Sequence, residues 1–513
     1  MLSFFSAGYE YLVVYPDLAP DLTAILTLSG VEGNVTKRGR SRESMVFQLG
    51  KNMEYTLSIE EGTISLAYLY SENDMERGVL FLTGREAAQD ETFRPFQTHL
   101  PIFAVSLAAF FEGNYHLFYL SSPFGKTDEN RYLCHAVSRD MLSWKQLPIL
   151  LEPPSALCLV RHRTGGIYGG CLEVEDGKAR LYFSQRIQDA ISEKTLFSYQ
   201  SFMESRDLLH FSAEETVIKD MPPKADALSD PFIFTENGEK FMVLGGSLRE
   251  KGAVFLYKET ERGFTYIAPL YRNKNTERME NASFFRLGRT AVLMCTLSCL
   301  PDTDGNGAPV YLFAGSFAQE KFKIKRRTRL DFGGDFYAAR PFSDGKRTLL
   351  FGTSSPNGGT LLQRELSGKK GQFYVKPIRE LYSLLGEILF KWEGEPVSLA
   401  PQSSAFYIKI SFSGKTSFRL FFGENEKERL FFLGNEDTCG FSLEGADGAK
   451  FYDAGIYPAE IEIFADGETV AVFLDGGRAA GTKRFAPTET VFKAEFQDET
   501  KVEFMEVWEV LKP

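Results

Sequence analysis

HLPIFAVSLAAFFEGNYHLFYLSSPFG (residues 99–125) has a turn glycine, Gly113, at its middle, followed by an apolar strand that ends in small residues. Four later stretches share that form: GKARLYFSQ from Gly177, GEKFMVLGG from Gly238, GRTAVLMCT from Gly288 and GKRTLLFGT from Gly345. Their starts at 113, 177, 238, 288 and 345 are separated by 64, 61, 50 and 57 residues. A second echo keeps the same register, with SRDMLSW (138–144) after the first run and SRDLLHF (205–211) after the second. Helical periodicity is scarce, and short apolar or alternating runs bounded by Gly, Asp and Asn dominate. A near-constant period with one small sheet per unit is the signature of a β-propeller. The reading is an all-β chain with a five-bladed propeller over residues 94–365, each of the five glycines standing just before a strand near the axis.

The 513 residues allow roughly three domains. Residues 1–93 carry strand-like runs such as EYLVVY and ISLAYLY and read as a small N-terminal β domain ending in a polar linker around GREAAQDET. Residues 366–384 read as a basic, turn-rich connector. Residues 385–513, with AFYIKISFSG, AEIEIFADG and TVAVFLDGG, alternate as a C-terminal β-sandwich does.

The composition is globular, with 43% hydrophobic and 25% charged residues and a net charge of −11. Lys and Arg are scattered, which argues against nucleic acid or an anionic membrane as partner. The six cysteines form no CxxC pair, and no His, Asp or Glu group has metal-ligand spacing, so neither a metal nor another cofactor is expected. The N-terminus lacks the pattern of a secretory signal and no run of 18 apolar residues occurs. The expected location is the cytoplasm, with the thiols reduced.

Across residues 94–510 the chain resembles glycoside hydrolase family 32, the invertases, fructanases and sucrose-6-phosphate hydrolases. The likeness rests on GNYHLFY, HAVSRDMLSWKQLPI (135–149), SDPFIFTENGEKFMVLGG (229–246), DFGGDFYAARPF (331–342) and IEIFADGETVAVFLDGGRAA (461–480). It implies a propeller followed by a sandwich, in agreement with the period. It also implies three carboxylates, and two of these, in retaining glycosidases, stand about 5–5.5 Å apart as nucleophile and acid/base.

The family's nucleophile belongs to a W-M-N-D-P-N-G stretch. Counted back from Gly113, that stretch falls on residues 101–107, and Ala104 takes the place of the acid. No Asp or Glu lies between His99 and Phe111. The family's R-D-P becomes Ser229-Asp230-Pro231, which keeps the hydroxyl-binding Asp230 and loses the Arg. E-C-P-D becomes Glu280-Asn281-Ala282-Ser283, which keeps Glu280 in the acid/base position. W-G-H-A becomes Leu133-Cys134-His135-Ala136, and F-S-G-S becomes Tyr168-Gly169-Gly170-Cys171. By the same resemblance Ser229, Tyr168, Asp335 and Tyr337 are candidate substrate-binding residues. His116 and His135 read as packing residues.

Three functions are open on this reading. The first is a relative of the β-fructofuranosidases that binds a fructoside or other small carbohydrate, with retaining hydrolysis lost or much reduced. The second is an active hydrolase or transferase on an unusual fructoside, with Asp230, or a substitute carboxylate such as Asp226, Asp128 or Glu129, activating water. The third is a homo-oligomer or subunit assembled through residues 1–93.

Overall fold

The protein was analysed as a computed structural model, which describes residues 1–19, 22–72, 75–83, 100–125, 130–154, 163–192, 194–299, 308–355, 359–369, 371–394, 397–399, 405–423, 430–445, 448–485 and 491–513. The sequence-expected linker around residues 84–93 lies outside them. Two compact units divide the chain: most of Met1–Asp230 forms the first, and Pro231–Pro513 with Asp140–Leu142 the second.

The first unit opens with two four-stranded antiparallel sheets. One has the order β1 (Leu2–Phe5), β6 (Glu54–Ile59), β3 (Thr23–Gly30), β4 (Gly33–Arg40). The other runs β5 (Met45–Gln48), β2 (Tyr11–Asp17), β7 (Thr63–Tyr70), β8 (Leu80–Phe81). Alternation drives the packing: Ala24, Leu26 and Leu28 of β3 turn inward onto Leu12, Val14, Phe47 and Leu69, while Ile25 and Thr27 lie on the opposite face. The edge strand β4 is almost wholly exposed and carries Lys37, Arg38 and Arg40, charges that discourage further strand addition.

Two four-strand meanders follow. The first is β9 (Ala104–Phe111), β10 (Asn114–Ser121), β11 (Tyr132–Ser138) and β12 (Trp144–Gln146). The second is β13 (Arg163–Glu175), β14 (Lys178–Asp189), β15 (Thr195–Ser205) and β16 (Glu215–Ile218). Phe103, Leu107, Phe118, Leu133, Leu181 and Phe183 form the core between them. Inside the first meander, His116 Nδ1 and His135 Nε2 lie 3.0 Å apart, with Phe118 stacked on His135 at 4.1 Å. Burial pulls the His116 imidazole down to about 4, and burial plus the neighbouring His116 holds His135 well below its usual value. Both rings are therefore neutral packing groups at neutral pH, one donating to the other.

β17 (Ala225–Glu236) runs from the first unit into the second. There the strands continue as β18 (Glu239–Leu248), β19 (Lys251–Thr260) and β20 (Gly263–Asn273), then β21 (Arg278–Leu287), β22 (Thr290–Ser298), β23 (Val310–Ala318) and β24 (Lys321–Arg329). A single Gly246–Met279 pairing joins these two meanders in one sheet. The last meander is β25 (Tyr337–Ser343), β26 (Thr348–Thr353), β27 (Leu361–Lys369) and β28 (Gln372–Pro377). Such four-stranded meanders are the sheets of which a β-propeller is built, and the sandwich follows them in the chain.

Each marker glycine, Gly113, Gly177, Gly238, Gly288 and Gly345, has a positive φ and turns the first strand of a meander into the second. The strand each one introduces is thus the second of its meander. The first strands, which carry the candidate site residues, were hidden by weaker patterns. Residues 366–377, expected as a connector, instead form the end of β27 and all of β28. The cause is a hairpin at Gly371 (φ 77°), with buried Leu366, Phe373 and Val375 alternating among the basic residues that dominated the composition.

A two-against-one irregularity recurs in the first strands. Register shifts fall at Ser106 on β9, at Tyr168-Gly169 on β13, at Asn281-Ala282 on β21 and at Ala338-Ala339 on β25. Asn281 and Ala338 have φ of 55° and 51°, and Asp230 of β17 has 63°. The opposed residues on the second strands are mostly small, such as Ser184, Cys295 and Gly352, which explains the small-residue endings seen in the sequence. At Gly170, beside one bulge, a Cβ would sit 1.8 Å from the Tyr182 carbonyl oxygen.

The sandwich pairs one sheet, ordered β29 (Leu385–Lys391), β40 (Val502–Val510), β31 (Phe406–Phe412), β36 (Glu460–Ala465), β37 (Thr469–Leu474), β38 (Ala479–Arg484), with another, ordered β30 (Val397–Leu399), β39 (Phe492–Phe496), β32 (Phe418–Phe422), β33 (Leu430–Gly434), β34 (Cys439–Gly445), β35 (Gly448–Asp453). Ile408, Ile410, Leu420, Phe432, Phe441, Ile463 and Val472 fill the space between. The segment before β25 latches the last meander to β38. Phe332 N–H donates to the Ala480 carbonyl at 2.9 Å and Asp335 N–H to the Thr482 carbonyl at 3.2 Å. Asp331 accepts from Arg364 Nη2 at 2.7 Å and from Thr482 N–H at 3.0 Å, with both charged side chains 2% exposed.

Three measurements check this account. Unfolded histidine titrates near 6.5, so the buried neutral pair contributes stability above that pH which is lost as the pH falls towards about 4. Melting scans should show that loss, and a His116→Gln/His135→Gln variant should have a flatter profile over the same window. Asp331→Ala leaves Arg364 buried and uncompensated, and denaturant titration should show a loss of about 3–5 kcal/mol. Gly170→Ala should destabilise more than Gly113→Ala: the first meets backbone, whereas the second has open space and pays only for its positive φ, about 1 kcal/mol.

Candidate functional site

Ala104 is the first residue of β9 and pairs with Leu120 at the end of β10, with Phe103 N–H donating to the Leu120 carbonyl at 2.9 Å. The end of the first strand is therefore built by ordinary ladder bonds and apolar packing of Phe103. A methyl group stands where the resemblance implies a nucleophilic carboxylate.

Asp230 is buried, 4% exposed, in the left-handed region that a non-glycine residue occupies only when its surroundings hold it there. The holding bonds are visible: Asp230 N–H donates to Ser184 Oγ at 2.8 Å, and Ser229 Oγ donates to Asp230 Oδ2 at 3.1 Å. Ser184 in turn donates to Gln200 Oε1, and Ser198 donates to the Leu228 carbonyl. Ser229 thus serves the carboxylate of Asp230 directly.

Tyr168 sits in the β13 bulge. Its hydroxyl donates to Gln188 Oε1 at 3.4 Å, its carbonyl accepts from Ser106 Oγ at 3.4 Å, and the Arg186 guanidinium lies 3.9 Å from its ring centroid. Arg186, 6% exposed, also donates to Gln188 at 3.3 Å. Sequence reading missed Ser184, Arg186, Gln188 and Gln200. The available signal was the polar run SQRIQ (184–188), set within a strand whose other residues are largely apolar. A polar run that is buried needs partners, and these side chains supply them to one another and to Asp230.

In the second unit, Glu280 is the last paired residue of β21 before the bulge, opposite Thr296, and Ser298 Oγ donates to its Oε2 at 2.6 Å. It is half-buried. Tyr337 holds the equivalent place on β25, opposite Thr353. Asp335 is different. Its carboxylate lies 3.0 Å from Lys483 Nζ and accepts the Arg484 N–H at 2.8 Å, both on β38. Burial raises its pKa, with Lys483 opposing. The Asp335 carboxylate is thus engaged in the latch to the sandwich.

Among the substitute acids, Asp226 is exposed on β17, and Asp128 and Glu129 lie outside the described residues. No group of three or more His, Cys, Asp or Glu side chains that could hold a metal occurs among the described residues. No helix among them is long and apolar enough to cross a membrane.

Comparison with known proteins bears on this arrangement. The family model described as "Glycosyl hydrolases family 32 N-terminal domain" matches residues 107–357, a match that begins three residues after Ala104. A sucrose-6-phosphate hydrolase of Zymomonas mobilis is 28% identical over 311 residues, 53% of this chain and 58% of that protein. The chain therefore spans little more than half the length of that relative. One of Klebsiella pneumoniae is 25% identical over 425 residues, 73% of this chain and 84% of that protein. Among solved structures, a family 32 glycoside hydrolase from Bifidobacterium adolescentis superposes with a TM-score of 0.89 at 18% identity, covering 100% of this chain and 99% of that one. Residues 1–93, which the sequence resemblance left unexplained, are thus within the span of that fold. The Bombyx mori β-fructofuranosidase BmSUC1 superposes at 0.67, covering 82% of this chain and 95% of its own, at 18% identity. With the propeller-and-sandwich architecture and the matched motifs, these likenesses support the chain's membership of glycoside hydrolase family 32.

Proposed function

We propose that the protein binds a fructoside or another small carbohydrate through Asp230 and Glu280, and that retaining hydrolysis is lost or much reduced. The observation that carries this reading is Ala104 at the start of β9, in a segment with no acid from His99 to Phe111. A methyl group cannot form a covalent glycosyl intermediate, and loss of a covalent nucleophile costs on the order of 10⁶ in turnover. The two remaining acids are set up to accept hydrogen bonds. Asp230 is fixed by Ser184 and Ser229, and Glu280 by Ser298. Hydroxyl groups of a sugar would add charge-assisted bonds of about 1.5–3 kcal/mol each. Ser229, Tyr168 and Tyr337 are the proposed neighbours of the sugar, whereas the carboxylate of Asp335 has its partners in the sandwich. The persistence of Glu280 favours one second reading, an enzyme in which Glu280 protonates a leaving group while another carboxylate activates water.

Calorimetry with fructose, sucrose and fructo-oligosaccharides tests the proposal. Wild type should bind at least one of them, and Asp230→Ala and Glu280→Ala should each weaken binding about tenfold or more. Binding that neither substitution weakens would assign the ligand elsewhere. Ala104→Asp should restore little turnover, because the Arg and Trp of the family motifs are missing as well.

A further inference from the structure

The sandwich carries a cleft of about 650 Å³ on the face of the β30–β35 sheet turned away from the core. Its floor is a cross-strand row running Glu495 (β39), Arg419 (β32), Leu433 (β33), Gly440 (β34). At strand spacings of about 4.8 Å this row is roughly 14 Å long. Phe451 closes one end. Its ring lies where a side chain on Gly440 would be, with Cζ 2.9 Å from the Cβ position, so the missing side chain is what lets the ring lie on the sheet. Phe451 is nevertheless 42% exposed. Asn435 and Gln497 border the cleft. Asn435 Oδ1 accepts the N–H groups of Asp437 and Thr438 at 2.8 and 2.9 Å, which aims the side-chain amide nitrogen elsewhere as a donor.

We infer that this cleft is a second carbohydrate-binding site, for a neutral oligosaccharide such as a fructan chain, independent of Asp230 and Glu280. The volume falls within the range of small-molecule sites. An exposed aromatic face beside one cation, one anion and two amides suits a ligand with apolar C–H faces and hydroxyls that both donate and accept. Arg419 and Glu495 balance in charge, so nothing favours an ionic ligand. A second protein copy is a poor fit: Phe451 is the one exposed large apolar side chain on this face among the described residues. A stable interface needs about 800 Å² per partner, several times what one aromatic ring can bury.

The test is affinity electrophoresis and calorimetry on the full chain with inulin, levan, their oligosaccharides and maltopentaose. The set is wild type, Phe451→Ala, Phe451→Tyr, Arg419→Ala and an Asp230→Ala/Glu280→Ala variant. At least one polysaccharide should retard the Asp230→Ala/Glu280→Ala variant. Phe451→Ala should weaken that retardation about three- to tenfold, Arg419→Ala should weaken it too, and Phe451→Tyr should keep it. No binding of any probe, or binding unchanged by Phe451→Ala, overturns the inference. So does retardation abolished by Asp230→Ala/Glu280→Ala alone. Self-association by light scattering that Phe451→Ala removes would overturn it in favour of an interface between copies.

Discussion

A β-strand points alternate side chains to opposite faces, and the first strand of each meander breaks that rule at one level. The extra residue at Ser106, Tyr168-Gly169, Asn281-Ala282 and Ala338-Ala339, with the left-handed turn at Asp230, re-aims the side chains next to it. The candidate site residues Tyr168, Asp230, Glu280 and Tyr337 sit on or beside such a distortion. Under ordinary alternation Glu280 and the residues beyond the bulge could not both keep their present faces of the sheet. The bulges persist because small residues on the second strand, Ser184, Cys295 and Gly352, make room for them. Hydrogen bonds such as Asp230 N–H to Ser184 Oγ hold the unusual backbone in place.

On the proposed reading, this separation of scaffold from chemistry is how Ala104 can stand in the place of the family's acid while the strand is kept. Ala104 contributes a ladder position opposite Leu120, and the packing beside it comes from Phe103 and Leu107. Nothing in that ladder requires a carboxylate. Asp230 has become part of a hydrogen-bonded network with Ser184, Ser229 and, through Ser184, Gln200, so its removal touches the backbone as well as the site.

The hairpin glycines were legible from the sequence because a positive φ and a following apolar run leave a strong local signal. Gly113, Gly177, Gly238, Gly288 and Gly345 all open such turns. The first strands were less legible. Bulges disturb their alternation, and their buried polar residues look like loop residues until partners are known, as with Ser184, Arg186 and Gln188. The role of Asp335 was illegible for a different reason. Its partners Lys483 and Arg484 lie about 150 residues away, and only tertiary structure brings them together. Residues 366–377 were misread because three lysines, an arginine-free turn and two glycines outweighed a three-residue apolar alternation in composition.

The central claim is that a family 32 scaffold with Ala104 in place of the nucleophile is a carbohydrate binder rather than a competent retaining hydrolase. The most direct measurement is release of fructose from sucrose, inulin and levan by purified full-length protein, followed by chromatography over long incubations at high enzyme concentration. The account predicts a rate on the order of 10⁶ below ordinary glycosidase turnover, or none. Turnover at the ordinary scale of about 1–10³ per second would contradict it.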